Sequence, residues 1–225
     1  MPELIKDAQP FKFYTRLHLT ELTGLRASNL SQLLKLIKKV PGSCIYHHTH
    51  RFLQQHQYLS PEPPNDFAYW VSEVLGEAAL GEELASIDTI RFNTIRALRE
   101  EIIETIEYYI KNNFFSRLKF SSEGEEFHFM KSVSFISPTK YIAYNLSDFA
   151  EILKKVTIDS IYFHIFEARL RLEKPANDFS CWIETSLGIK ELADRIANLD
   201  PYTYTLDDLR QVLINVIENY MRNKN

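Results

Sequence analysis

One ordered set of motifs occurs twice in this chain, and that limits its fold more than any bulk property does. Phe11-x-Phe13 returns as Phe127-x-Phe129, Asn29-Leu30-Ser31 as Asn145-Leu146-Ser147, and Ile45-Tyr46-x-His48 as Ile161-Tyr162-x-His164. Asn65-Asp66-Phe67-x-x-Trp70 returns as Asn177-Asp178-Phe179-x-x-Trp182, Leu75-Gly76 and Asp88 as Leu187-Gly188 and Asp200, and Leu98-Arg99 as Leu209-Arg210. Order is kept and gaps are small, so chance is a poor explanation. A unit of about 95 residues is roughly twice the longest solenoid repeat, which points to a duplicated domain rather than an array. Residues 1–120 then form repeat unit 1 and residues 121–225 repeat unit 2. Duplication speaks for architecture and names no reaction.

A chain of 225 residues suits two units of about 100 residues, each able to bury a core of its own. With 45% apolar and 25% charged residues, the balance is that of a folded chain rather than a disordered one. The net charge of −4 and pI near 6.0 give no global attraction to nucleic acid or anionic lipid. The start, Met1-Pro2-Glu3-Leu4-Ile5-Lys6-Asp7, lacks the basic and apolar runs of a secretory signal. No apolar stretch approaches the roughly 18 residues that span a bilayer. Neither nucleic acid nor a membrane is therefore an expected partner. Cys44 aligns with Ser160 and Cys181 with Tyr69. A disulfide framework would be kept in both repeats, so both cysteines read as free thiols of a cytoplasmic protein. Glycine is scarce, six in all. Without a Gly-x-Gly-x-x-Gly run, a Walker loop or a Gly-x-Ser-x-Gly elbow, the folds built on those turns are set aside.

Each repeat opens on alternation, Phe11, Phe13, Leu17 and Leu19 against Phe127, Phe129, Val133 and Phe135, the period of a half-buried strand. A lone strand leaves its backbone groups unpaired, so the two should pair with each other or across a dimer. Helices follow. Leu30, Leu33, Leu34 and Ile37 share one face, as do Leu146, Phe149, Ala150 and Leu153. Asn29 and Asn145 are placed to cap these helices, Ser43 and Asp159 the next pair, and Asn65-Asp66 and Asn177-Asp178 a third pair carrying Phe67, Trp70, Val71 and Val74 or their counterparts. Gly76 and Gly188 fall at the left-handed C′ position. Short helices follow through Leu80, Leu84 and Ile87 or Leu192, Ile196 and Leu199. The longest come last, with stripes Ile95, Leu98, Ile102, Ile106, Tyr109 and Leu206, Leu209, Leu213, Ile217, Tyr220, capped by Thr94 and Thr205. Ser121-Ser122-Glu123-Gly124-Glu125-Glu126 reads as the polar linker. Phe114, Phe115, Leu118 and Phe120 before it are too apolar for a free tether and should dock on the body.

The run Ile161-Tyr162-Phe163-His164 through Glu167-Ala168-Arg169-Leu170, then Asn177-Asp178-Phe179-Ser180 and Asp200-Pro201-Tyr202-Thr203-Tyr204-Thr205, resembles a bacterial and archaeal family known only as a domain of unknown function. The resemblance covers nearly the whole chain. It implies a prokaryotic cytoplasmic protein of similar length, and it carries over no activity and no catalytic residue.

What both repeats keep is first of all what the fold requires. On that logic His48, Asn65, Asp66 and Trp70, with His164, Asn177, Asp178 and Trp182, form a structural motif. Each Trp should anchor a core. A buried imidazole needs a partner for both ring nitrogens, so His48 should bond to Asn65 or Asp66, and His164 to Asn177 or Asp178. What one repeat alone carries is the better candidate for function. Repeat unit 1 reads His47-His48-Thr49-His50-Arg51-Phe52-Leu53-Gln54-Gln55-His56, where repeat unit 2 has Phe163 for His47 and Phe166 for His50. His47, His50, Arg51, Gln54 and His56 are the candidate binding residues. His47 and His50, three apart on a helix, are also spaced to share zinc or another divalent metal, with His56 and Glu62 as further ligands. The competing reading is a solvated polar helix face or a partner-binding rim. The stiff loop Ser60-Pro61-Glu62-Pro63-Pro64 follows. Arg16 and Arg26 can bind an anion, although surface salt bridges explain them more simply.

The sequence therefore predicts a mainly α protein with a minor β component, two lobes related by pseudo-twofold symmetry, and the two long helices as the seam between lobes or subunits. The leading functional expectation is a non-catalytic cytoplasmic binding or scaffold protein, taking a protein or small-molecule partner through the His- and Gln-rich face, or forming a homodimer. The alternative is an enzyme or ligand-binding protein with a His-lined, metal-containing site in the first repeat or the inter-repeat cleft.

Overall fold

The structure, a computed structural model, describes residues 9–51, 65–168, 176–199 and 203–224. It is mainly helical with a minor β component. Two 17-residue strands, β1 (Phe11–Ala27) and β2 (Phe127–Ala143), form one two-stranded sheet. The Thr139 hydroxyl donates to the Phe13 carbonyl and the Thr23 hydroxyl to the Phe129 carbonyl. Partners thus descend along β2 as β1 ascends, and the pairing is antiparallel. Of the two pairings the alternation allowed, the strands adopt the one within the chain.

The chain divides into two compact units: a front unit, His18–Val133, and a back unit, Met1–Leu17 with Ser134–Asn225. The front unit holds α1 (Leu30–Ile37), α2 (Gly42–Tyr46) running into a π-helical turn (His47–Arg51), and α3 (Asp66–Tyr69) running into another (Trp70–Val74). It continues with α4 (Ala78–Ala85), α5 (Ile95–Asn112) and a 3₁₀ turn (Phe114–Leu118). The back unit holds α6 (Leu146–Leu153), α7 (Ile158–Tyr162) with its π turn (Phe163–Glu167), α8 (Asp178–Thr185), α9 (Lys190–Ala197) and α10 (Leu206–Asn223).

Each core takes its strand aromatics from the other half of the sequence. Phe127 and Phe129 pack with Leu30, Leu33, Ile45, Phe67 and Trp70 in the front unit. Phe11 and Phe13 pack with Phe149, Phe179, Trp182 and Leu209 in the back unit. The Phe11 ring lies 5.4–5.5 Å from Phe149, Phe179 and Trp182, in edge-on contact of the kind aromatic quadrupoles favour. The apolar stripes of α5 and α10 lie in these same cores.

Asn29, Asn65, Asn145 and Asn177 accept the amides of Gln32, Ala68, Asp148 and Ser180 at 2.8–2.9 Å, and Thr94 and Thr205 those of Ala97 and Asp208. Gly76 and Gly188 have φ of 64° and 67°. Ser43 and Asp159 do not cap. Their helices begin after Pro41 and Thr157, because those residues already hold the extended backbone a cap requires.

Two further expectations are corrected. Leu17, Leu19 and Phe135 are exposed rather than half-buried. Phe129 and Ser132 both turn toward the helices of the front unit. Their separation is an odd number of residues, so the alternation of β2 breaks between them in the manner of a bulge. Phe114, Phe115, Leu118 and Phe120 do not dock and stay 62–79% exposed. In that 3₁₀ turn it is Ser116 that faces inward, its hydroxyl donating to the Asn113 carbonyl.

Candidate functional site

The histidine-bearing turn after α2 is buried all round: Tyr46, His47, His48, Thr49 and His50 are each under a tenth exposed. His48 is held from both sides. Its Nδ1 lies 2.7 Å from Asp66 Oδ2, and its Nε2 accepts the Met130 amide at 3.0 Å. Since Nε2 accepts, the ring proton sits on Nδ1 and donates to the carboxylate. The Met130 amide lies at the break in strand alternation, where the ladder leaves a donor to be satisfied. His164 repeats the arrangement in the back unit, with Asp178 Oδ2 at 2.7 Å from Nδ1 and the Tyr14 amide at 2.9 Å from Nε2. Both rings join a helix start, a π turn and a strand. With both nitrogens engaged, neither is placed to take a proton from a substrate or to ligate a metal.

Among the described residues Asn65 and Asn177 are not hydrogen-bond partners of these histidines. Besides capping, their amides donate to the carbonyls of Leu84 and Ile196. Trp70 Nε1 donates to the Glu125 carbonyl at 2.7 Å and Trp182 Nε1 to the Gln9 carbonyl at 2.8 Å. Each indole thus pins the chain just ahead of a strand while its rings fill a core.

His47 and His50 are 7% and 4% exposed, so the solvated face expected for them is not found. The π turn buries them because it is enclosed by strand and helices together. His47 Nδ1 faces Ser132 Oγ at 3.1 Å. Burial first, then the neighbouring His48, hold the His47 imidazole down at about 4, with Asp66 acting the other way and Arg51 and His18 adding to the depression. Thr49 gives its hydroxyl proton to the Ile45 carbonyl, so His50 Nδ1 donates to Thr49 Oγ1 at 2.9 Å. The His50 ring stacks on Tyr46 at 5.4 Å, and His18 stacks on Tyr46 at 5.7 Å. Arg51 is partly exposed, yet its Nε is buried with no hydrogen-bond partner.

A shared metal is not what this geometry presents, for His47 turns to the strand and His50 to its own helix. Among the described residues no three His, Cys, Asp or Glu side chains converge to hold an ion. Gln54, His56 and Glu62 lie outside the described residues.

Three members of the front cluster were missed in the sequence: His18, Tyr46 and Ser132. So was their counterpart in the back unit, where Arg16 pairs with the buried Glu167 and its Nη2 donates to Ser134 Oγ at 2.5 Å. The surface salt bridge expected of Arg16 is thus a largely buried one, while Arg26 does reach Glu126 at an exposed position. The available signal was the offset of 116 residues that relates His48 to His164. It also relates Arg16 to Ser132, His18 to Ser134 and Arg51 to Glu167.

No curated protein matches this chain. Its fold is similar to that of OrfY from Thermoproteus tenax, a solved structure 27% identical in sequence, with a TM-score of 0.76 over 96% of this chain and 98% of that one. No helix among the described residues is long and apolar enough to cross a membrane. A model of the family of unknown function DUF5752 matches residues 8–218, which takes in both histidine clamps, both tryptophan anchors and both strands, and the chain belongs to that family.

Proposed function

We propose that the chain is a non-catalytic binding or scaffold protein of the cytoplasm, and that its partner on one surface is a second copy of itself. The observation that carries this reading is the strip of Tyr108, Phe114, Phe115, Leu118 and Phe120, each 62–79% exposed within thirteen residues of the front unit. Patches of this kind mark interaction surfaces. Aromatic side chains carry roughly 150–250 Å² each, so the strip offers roughly 500–800 Å², near the ~800 Å² that one partner gives to a standard interface. Charge fits a twofold, antiparallel pairing. Exposed Lys111 and Arg117 beside the strip would meet the exposed Glu100, Glu101 and Glu104 of the second copy's α5.

The same reading gives the paired motifs a purely structural role. It takes the chain as a tandem duplication, residues 1–120 and 121–225, whose halves are pseudo-twofold related. The matched bonds of His48 and His164, and of Trp70 and Trp182, support this. The free thiols of Cys44 and Cys181 suit a reducing compartment.

Sedimentation equilibrium tests the proposal. Wild type should dimerise in the micromolar range, more weakly at high salt, and the pair Phe115→Glu, Leu118→Glu should be a folded monomer. A wild type that stays monomeric at several hundred micromolar, where such an interface would be filled, refutes the second copy as occupant.

A further inference from the structure

The turn that carries the aromatic strip is held by polar bonds rather than by packing. From Asn113 to Phe120 only Ser116 faces inward, and Phe114, Phe115, Leu118 and Phe120 stay in water. Its ends are tied through the backbone: the Ser116 amide donates to the Asn113 carbonyl at 3.0 Å and the Ser121 amide to the Ser28 carbonyl at 2.8 Å. Between them Lys119 reaches back to the start of α4. Its ammonium donates to the Gly76 carbonyl at 3.1 Å and lies 3.1 Å from Glu77 Oε1. The other carboxylate oxygen, Oε2, accepts the Tyr109 hydroxyl at 2.5 Å. Burial first, then the bond to Glu77, then the charges of Glu77 and Glu83 push the Tyr109 phenol up to about 12, so it keeps its proton and remains a donor. Both oxygens of the buried Glu77 carboxylate therefore have a donor.

A carboxylate is not what this backbone position requires. Glu77 follows Leu75-Gly76 as Ile189 follows Leu187-Gly188. The two residues open their helices with the same backbone, φ −100° and ψ 64° against φ −102° and ψ 71°, and their amides donate to the carbonyls of Val71 and Ile183. In the back unit an apolar side chain serves, and Ile189 packs on the core. Taking a carboxylate out of water is costly, and pairing it with a half-exposed ammonium adds little net stability. What the pair supplies is direction, because a buried anchor fixes where Lys119 and its neighbours stand. We propose, on the reading of the strip as a contact between copies, that Glu77 and Lys119 are the positioning residues of that surface: their ion pair latches the turn so that Phe114, Phe115, Leu118 and Phe120 stand outward together before a second copy arrives. Apolar side chains on an untethered turn would fold back out of water. Holding them in place beforehand removes an ordering cost that association would otherwise carry.

Two variants of the full chain break the latch: Glu77→Ile, which copies Ile189, and Lys119→Met, which keeps the apolar stem and removes the charge. Three measurements separate the latch from the dimer and from plain stability. They are urea denaturation, sedimentation equilibrium, and hydrogen exchange of the Ser116 and Ser121 amides, the first and last at concentrations low enough to hold the monomer. Both variants should unfold near the wild-type midpoint, dimerise about three- to tenfold more weakly, and exchange these two amides about three- to tenfold faster. If wild type stays monomeric the second copy is refuted, and faster exchange in the variants still upholds the latch on the turn. Exchange unchanged in both variants overturns the latch whatever the oligomeric state of wild type. A dimer that both variants form as tightly as wild type does overturns it too. Should Glu77→Ile fail to fold, Lys119→Met, at a half-exposed side chain, decides alone.

Discussion

Asp66 and Met130, 64 residues apart in sequence, meet through one ring: His48 gives its Nδ1 proton to the Asp66 carboxylate and takes the Met130 amide on Nε2. The consequence is mechanical. Replacing the ring by Phe keeps the volume and leaves two polar groups without that partner, one of them a partly buried backbone donor. His48→Phe should therefore destabilise the front unit by about 2–4 kcal/mol, and Asp66→Asn, which still offers an acceptor, by about 1 kcal/mol. Urea denaturation measures both. Equal midpoints for His48→Phe and wild type would show that the clamp is not what holds α3 and β2 to the π turn.

The tryptophans separate packing from hydrogen bonding. Trp70→Phe keeps most of the ring volume and removes the bond to the Glu125 carbonyl, so about 1 kcal/mol should be lost. Trp70→Ala also opens a cavity against Phe127, whose ring lies 5.7 Å away, and should cost about 3–5 kcal/mol. Thermal melts that failed to rank the two variants in this order would remove Trp70 as the anchor of its core.

Much of the helical scaffold was legible because it rests on local signals. An Asn that accepts an amide three residues on, or a glycine at positive φ, depends on neighbours in sequence, and Asn29, Asn65, Gly76 and Gly188 behave as their positions predict. The pairing of His48 with Asp66 was also within reach, since a buried imidazole must find acceptors. What could not be read was non-local. Which core Phe127 and Phe129 fill depends on how chain segments over fifty residues apart meet. The burial of His47 and His50 depends on β2 lying over the turn, which nothing in His47-His48-Thr49-His50 announces. The exposed Phe114 and Phe115 misled for the opposite reason, because hydrophobicity predicts burial only on average.

Two glycines should respond to alanine for different reasons. Gly76 has φ of 64° and open space where a Cβ would stand. Its alanine variant suffers only the left-handed backbone penalty, about 1–2 kcal/mol. Gly81 lies inside α4, where alanine is normally the better residue by roughly 1 kcal/mol. Here its Cβ would stand 2.7 Å from Ser72 Cβ and 3.3 Å from the Ala68 carbonyl oxygen, contacts that force α4 away from α3. Gly81→Ala should thus destabilise, by about 1–3 kcal/mol, against the propensity scale. A stabilised Gly81→Ala protein would mean that these helices are free to move apart.

The acid side of the stability curve should carry the mark of His47. Its ring is neutral in the folded state down to about 4, held there chiefly by burial, whereas the ordinary value is 6.5. The unfolded chain takes up that proton first, so the sign is fixed. Above about pH 6.5 neither state binds it and its contribution is constant. As pH falls from 6.5 toward 4 the unfolded state gains a proton that the folded state refuses, and stability declines. Below about 4 both states bind it and the loss stops. The whole effect is at most roughly 3 kcal/mol. His47→Phe copies the residue that fills the matching place in the back unit, the buried Phe163, and it removes this proton altogether. The variant should lose a constant increment at neutral pH with the Ser132 contact, then decline less steeply than wild type between pH 6.5 and 4. Urea unfolding at half-unit pH steps gives both curves, and the difference between them isolates this one ring from the other buried histidines. Parallel curves across that interval would mean that His47 titrates normally in the folded protein, and that the turn after α2 opens to water more readily than its packing implies.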